Sequence, residues 1–279
     1  MAPLPYPIID THAHLYRSDL PMTSRRRYVP ACDASIADYD EVCRALGATR
    51  SVLVQPSFLG VDNSFLLATL AAQPARFRGI AVVEPQVSQQ ELDAMAAYGV
   101  VGIRLNLIGK PLPDLAQPGW DALLNFVNAA RWHVELHCEA EHLPVLVDPL
   151  VARGCRVVVD HFGRPDARLG LRDPGFQYLL SKAVSQRLWV KLSAGYRLGG
   201  PALATACVPE LTAAALKAFT PDYLVWGSDW PHTQHPEIDN TVTLLRMLTD
   251  IVGDADALKR ILWQTPSTLF HFDDHNNDF

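Results

Sequence analysis

Short apolar runs alternate along the chain with longer stretches whose apolar residues recur every three or four positions. The runs Ile8–His14, Ser51–Gln55, Gly79–Val83, Val101–Leu105, His133–His137, Arg156–Asp160, Trp189–Leu192 and Tyr223–Trp226 read as strands. The stretches Ile36–Leu46, Asn63–Ala72, Gln89–Tyr98, Trp120–Ala130, Leu143–Ala152, Phe176–Val184, Val208–Phe219 and Thr241–Leu248 read as helices. Strict strand–helix alternation predicts a parallel sheet, since each helix returns the chain to the same edge. Eight such units in 279 residues predict an α/β fold with one closed (β/α)8 TIM barrel over 1–279. No shift in composition marks a second domain, and the polar end, 273–279, is expected to fray.

Composition narrows the class. With 49% hydrophobic residues the chain can bury a large core, and a net charge of −6 argues against nucleic acid as the main partner. No apolar run reaches membrane-spanning length, and the N-terminus lacks a basic, apolar, small-residue signal, so a cytoplasmic protein without a membrane partner is expected. The five cysteines, Cys32, Cys43, Cys138, Cys155 and Cys207, form no CxxC pair and read as free thiols in a reducing compartment. No heptad or unusual apolar patch sets an assembly, which leaves a monomer or a homodimer.

Reactive groups of a barrel sit at the C-terminal ends of its strands. Period-two alternation places Asp10, His12 and His14 on one face of the first strand. Later strands end in Ser57, in Arg104 and Asn106, in His137, in Asp160 and His161, in Tyr196 and Arg197, and in Asp229. Glu135 shares a face with His137 one layer deeper, as a structural acid or a support for a histidine. His133, His142, His271 and His275 read as packed or surface residues. An acid beside imidazoles suits hydrolysis: Asp229 would deprotonate water while His12, His14 and His161 hold the carbonyl oxygen. Arg104, Lys110, Arg164 and Arg197 gather cations at the rim of an acidic protein, which implies a small anionic substrate. The loop from Tyr16 to Ala34 carries Arg25, Arg26, Arg27 and Tyr28, either as solvated surface or as substrate contacts.

The set His12-Ala13-His14, His137, His161 and Asp229 resembles the amidohydrolase superfamily over nearly the whole chain. Val54-Gln55-Pro56-Ser57, Gly102-Ile103-Arg104-Leu105-Asn106, Asp160-His161-Phe162-Gly163-Arg164-Pro165 and Trp226-Gly227-Ser228-Asp229-Trp230-Pro231-His232 are similar to its 2-pyrone-4,6-dicarboxylate lactonase branch. That resemblance implies a TIM-barrel enzyme that opens a lactone ring of a carboxylated substrate in the breakdown of lignin-derived aromatics. It implies substrate carboxylates on Ser57, Arg104, Lys110, Arg164 and Arg197; Asn106, His137, Tyr196, Tyr28 and His235 complete the expected binding set. Lys110 stands where the resemblance leads one to expect Arg, and His137 where the branch tends to carry Tyr. The fourth strand ends without a bridging acid, so a two-metal centre is not expected. The branch is metal-independent and no metal is favoured; the alternative is one Zn2+ on His12, His14, His137 and Asp229 with an open position for water. Other readings are a sugar-acid or muconolactone lactonase, a non-oxidative decarboxylase, or a barrel that only binds a small dicarboxylate.

Overall fold

The structure is a computed structural model and describes residues 4–24, 26–238 and 240–272. Eight strands alternate with helices: β1 (Ile8–Ala13), α1 (Ile36–Leu46), β2 (Ala48–Val54), α2 (Ser64–Ala72), β3 (Phe77–Ala81), α3 (Gln89–Ala97), β4 (Val100–Asn106), α4 (Asp121–Ala129), β5 (His133–His137), α5 (Leu143–Ala152), β6 (Arg156–Val159), α6 (Pro174–Ser181), β7 (Leu188–Lys191), α7 (Pro201–Phe219) and β8 (Leu224–Val225). Then follow α8 (Thr241–Val252), α9 (Ala255–Lys259) and α10 (Thr265–Leu269). The strands are parallel and lie in space in their order along the chain. The ring closes between its last and first strands: Thr11 N donates to Trp226 O (3.1 Å), Asp229 N to His12 O (2.8 Å) and His14 N to Trp230 O (2.9 Å). Gly227 permits this approach, because a Cβ there would lie 2.5 Å from the Cβ of His12.

Local signals start and stop the helices. Ser35 accepts from the backbone N–H of Asp38 to begin α1, and Gly47 ends it in the left-handed conformation. Ser88 and Glu91 form a reciprocal capping box at α3. Two apolar regions result. One lies between strands and helices, with Leu53, Leu70, Phe77, Val134, Leu146, Val157 and Leu211. The other fills the lower barrel with Ile9, Val52, Ile80, Val158 and Val225, closed by Leu269, Phe270 and Phe272 after α10. Each such fully buried side chain contributes about 1.5–3 kcal/mol.

Two expectations change. Strict alternation fails in β1, whose pairing with β2 shifts register between Asp10 and Ala13. Asp10 does not join the imidazoles. Its carboxylate accepts from the backbone N of His12 (3.2 Å), Tyr39 Oη of α1 (2.8 Å), Ser228 Oγ (2.6 Å) and Ser228 N (2.8 Å). The second change is α7, which runs through Pro209 and begins at Pro201 rather than Val208. Its stretch Ala202–Phe219 is long and apolar enough to cross a membrane, with mean hydropathy 1.3. In this fold the helix lies on the barrel and buries Leu211, Ala215 and Phe219. The tail 273–279 and Arg25 lie outside the described residues.

Candidate active site

The strand ends converge on a cavity of about 140 Å³ lined by His14, Arg27, Tyr28, Ser57, Arg104, Asn106, His137, His161, Arg164, Arg197, Asp229 and His235, among others. His12 is fully buried beneath this lining, and its Nε2 lies 3.3 Å from His14 Nε2. Asp229 Oδ1 is 3.6 Å from His12 Nε2, 3.7 Å from His14 Nε2 and 3.9 Å from His161 Nε2. The other carboxylate oxygen, Oδ2, accepts from Tyr196 Oη (2.5 Å) and Arg197 Nε (2.6 Å). The strand ends bend sharply to present these groups. Asp229 (φ 59°), His161 (φ 53°), Arg164 (φ 54°) and Ala194 (φ 48°) all adopt the left-handed conformation. Such backbone costs of order 1–3 kcal/mol per residue and concentrates at functional sites.

Directly below lies a layer of buried charge. Arg104 and Glu135 face each other in register on β4 and β5. Arg104 donates to Asp160 Oδ2 through Nε (3.0 Å) and Nη2 (2.7 Å), and its Nε lies 3.2 Å from Glu135 Oε1. Lys191, fully buried on β7, pairs with Glu135, lies 3.3 Å from Asp160 Oδ1 and reaches His12 Nδ1 at 3.0 Å. Two cations thus meet two carboxylates; all four are buried, and of them Arg104 reaches the cavity lining. Burial by itself raises both acids. Beside Asp160, burial is overridden by Lys191 and Arg104, which hold its carboxyl well below the usual range. In Glu135, burial and the Asp160 charge win, and its carboxyl is raised.

The mouth is balanced differently. Burial would raise Asp229, but the Arg197 guanidinium, then His161, hold it well below the usual carboxylate range. Burial lowers His12 and His137 well below the ordinary imidazole value and takes His161 to about 3. The imidazoles are therefore neutral near pH 7. Arg164 and Arg27 make no hydrogen bond or ion pair among the described residues; burial lowers both, with Arg197 or Arg104 adding to it. Both ring nitrogens of His137 and the Oδ1 of Asn106 are buried without a partner. Unpaired buried donors and acceptors are costly, so this surface is shaped for a ligand.

Most expected site residues meet here, with exceptions. Lys110 lines an adjoining groove of about 670 Å³, which shares Ser57, Arg104 and Asn106 with the cavity and continues past Leu107, Leu112 and Trp120. Tyr196 does not line the cavity; its hydroxyl serves Asp229 and lies 3.0 Å from His232 Nδ1. Tyr28 is tied to Thr233 Oγ1 (2.9 Å), and His235 Nδ1 to Glu237 (2.8 Å). Of the histidines expected to be incidental, His133 packs on Phe270 near the barrel floor and His142 is half-buried beside Glu139; His275 lies outside the described residues. Sequence reasoning missed Lys191 and His232. The signal for Lys191 was a lone cation inside an apolar strand, on the alternating face that leads to Ser193. His232 is buried by the loop after β8 and bonded to Thr241 Oγ1 at 3.0 Å, a contact with no local pattern.

Two buried groups could hold a cation among the described residues: His12, Asp160 and His161, beside the Lys191 ammonium, and His12, His14 and Asp229. His12 Nε2, His14 Nε2 and Asp229 Oδ1 lie 3.3–3.7 Å apart, the edge lengths of a small coordination polyhedron. Arg104 and Asn106 occupy the end of β4 and offer no bridge to a second ion.

This barrel, with its histidine pair on the first strand and a lone acid after the last, defines an amidohydrolase. The amidohydrolase family model matches residues 9–272, and the chain belongs to that family. It is similar to the Comamonas testosteroni 2-pyrone-4,6-dicarboxylate hydrolase, at 29% identity over 96% of this chain and 91% of that protein. A Pseudomonas putida structure, described as a candidate 2-pyrone-4,6-dicarboxylic acid hydrolase, is 42% identical with TM-score 0.89, over 96% of this chain and 98% of its own. An Acinetobacter baumannii structure described in similar terms, with citric acid bound, is 36% identical with TM-score 0.91, over 95% and 100%. A zinc-bound Burkholderia multivorans amidohydrolase shares the fold at 20% identity and TM-score 0.78, over 95% and 99%.

Proposed function

We propose that the chain is a hydrolase that opens the lactone ring of a small carboxylated substrate, with 2-pyrone-4,6-dicarboxylate as the nearest model. The observation that carries this reading is the excess of cations at the mouth. Arg27 and Arg164 have no anionic partner there, and they face the same cavity as Asp229 and the neutral imidazoles. Guanidinium groups bind carboxylates by paired hydrogen bonds. A substrate with two acid groups would neutralise this surface and leave its ester carbonyl over the histidines.

The geometry supports the following reaction. Asp229, kept ionised and turned by Arg197 and Tyr196, directs Oδ1 toward the cavity. Water bound at Oδ1 attacks the lactone carbonyl carbon and gives its proton to the carboxylate, a contribution of about 10²–10⁴-fold. Charge developing on the carbonyl oxygen is met by imidazole N–H, each donor contributing about 3 kcal/mol. The ring C–O bond then breaks, the ring oxygen takes the proton back from Asp229, and an open-chain acid leaves. A panel containing pyrone dicarboxylate, muconolactones and sugar-acid lactones, followed by acid release in a pH indicator, tests this. Asp229→Asn should lose at least about a hundredfold in kcat on the substrate found; near-normal turnover by that variant would remove Asp229 from the mechanism.

A second reading is favoured by the three-atom spacing of His12, His14 and Asp229. These residues would hold one Zn2+, which would supply a water of lowered pKa. Metal analysis of purified protein, with turnover before and after chelation, separates the two readings. The chain is further proposed to act as one domain in the cytoplasm, a reading supported by five free cysteines, four of them buried.

A further inference from the structure

We propose that Lys191 is a positioning residue for the hydrolysis: it orders a chain of one-way hydrogen bonds that keeps the proton of His12 on Nε2, the ring nitrogen beside His14 and Asp229. The inference rests on the hydrolase reading for its catalytic consequence, but its structural core stands on distances alone. Lys191 Nζ lies 3.0 Å from His12 Nδ1, His12 Nε2 lies 3.3 Å from His14 Nε2, and His14 Nδ1 lies 2.7 Å from the carbonyl oxygen of Val54. The two ends of this chain are fixed by chemistry. A lysine ammonium flanked by Glu135 and Asp160 has three hydrogens and no lone pair, so His12 Nδ1 must accept. A peptide carbonyl has only lone pairs, so His14 Nδ1 must carry a hydrogen. With one proton on each ring, His12 is the Nε2–H tautomer and His14 the Nδ1–H tautomer. The middle contact then has one donor and one acceptor, as it requires.

This direction matters at the mouth. It gives His12 a hydrogen at Nε2 that rests on His14 Nε2 and can pass to a carbonyl oxygen bound beside Asp229 Oδ1, 3.6 Å away. It also means that the two Nε2 atoms are never both bare, the condition a cation held between them would need. Without Lys191, the Nδ1 of His12 would face Asp160 Oδ1 at 3.4 Å and Glu135 Oε1 at 3.8 Å, two oxygens that have no hydrogen-bond donor. His12 would then turn its proton downward and lose its donor to the substrate.

The test is spectroscopic and kinetic. In the full-length protein labelled with 15N-histidine, long-range proton–nitrogen correlation separates the two tautomers, with His12 and His14 assigned by loss of their signals in His12→Gln and His14→Gln. The wild type should show a bare Nδ1 on His12 and a bare Nε2 on His14. Lys191→Met leaves two buried carboxylates against one cation, so the charge-balanced pair Lys191→Met/Glu135→Gln is the second variant. It should show His12 protonated at Nδ1 and lose about a hundredfold in kcat with KM changed less than threefold. A wild-type protein with Nδ1–H on His12, or a folded double variant that keeps both the wild-type tautomer and the wild-type kcat, overturns the proposal. If no lactone is turned over at all, the hydrolase reading fails while the spectra still decide the role of Lys191.

Discussion

The barrel interior holds two groups of charges within a few ångströms of each other, and they are arranged on opposite principles. In the lower layer Arg104 and Lys191 are matched by Glu135 and Asp160, and every charge has an opposite within hydrogen-bonding reach. In the mouth Arg27, Arg164 and Arg197 face Asp229 alone. The same residue types therefore do different work. In the proposed reading a matched set supports the barrel and keeps the His12 proton in place, and an unmatched set receives an anion from outside. Counting partners around each cation, rather than counting cations, separates support from recognition.

Substitutions can break that contrast in order of size. The largest effect of a single substitution on stability should come from the matched layer. Asp160→Asn leaves Arg104 and Lys191 short of an acid and should cost about 3–5 kcal/mol, read as a fall in Tm of about 5–15 °C. A loss under about 1 kcal/mol would mean that the layer is not held by charge matching. Acid should act next. His12, His133, His137, His161 and His232 are all lowered by burial, His161 to about 3 and His232 to about 4. Their folded values lie below the unfolded value of about 6.5. As pH falls through that value the unfolded chain takes up protons that the folded chain refuses, so stability drops. Each of these histidines should cost about 1.4 kcal/mol per pH unit, from about pH 6 down toward 4. Thermal melts across that range check the slope; a flat Tm from pH 7 to 5 would contradict it.

The mouth should respond in binding rather than in stability. Arg164→Met should raise KM about ten- to a hundredfold on a carboxylated lactone while changing stability by less than about 0.5 kcal/mol. If instead it lowers Tm as Asp160→Asn does, the two regions are not distinct. The smallest effect should come from Lys110, exposed in the adjoining groove, where Lys110→Met should raise KM only about two- to fivefold.

The sequence carried the architecture in its periodicities. Eight strands, the seven helices between them and α8 lie where alternating apolar runs placed them, α7 with an earlier start, because parallel strands buried on both faces read as continuous apolar segments. The rim residues were legible for a related reason: strand ends in a barrel are known from the strand assignments alone. What the pattern hid are features set by distant contacts. The β1 register shift that sends Asp10 to Tyr39 and Ser228 depends on β2 and β8. The length of α7 depends on packing that outweighs the cost of Pro209. The plug after α10 has no strand-helix period, and Lys191 needed Glu135 and Asp160, 56 and 31 positions earlier in the chain, before its burial made sense.

The contact between the amide of Asp229 and the carbonyl of His12 joins the first strand to the last, and it lies in the floor of the cavity. Manufacture of the protein therefore finishes where its chemistry starts. While a nascent chain still lacks its final quarter, the acid and the imidazole pair have no common wall. Catalytic competence arrives with the weld of the seam rather than by degrees, so incompletely assembled molecules should be silent toward any substrate they meet.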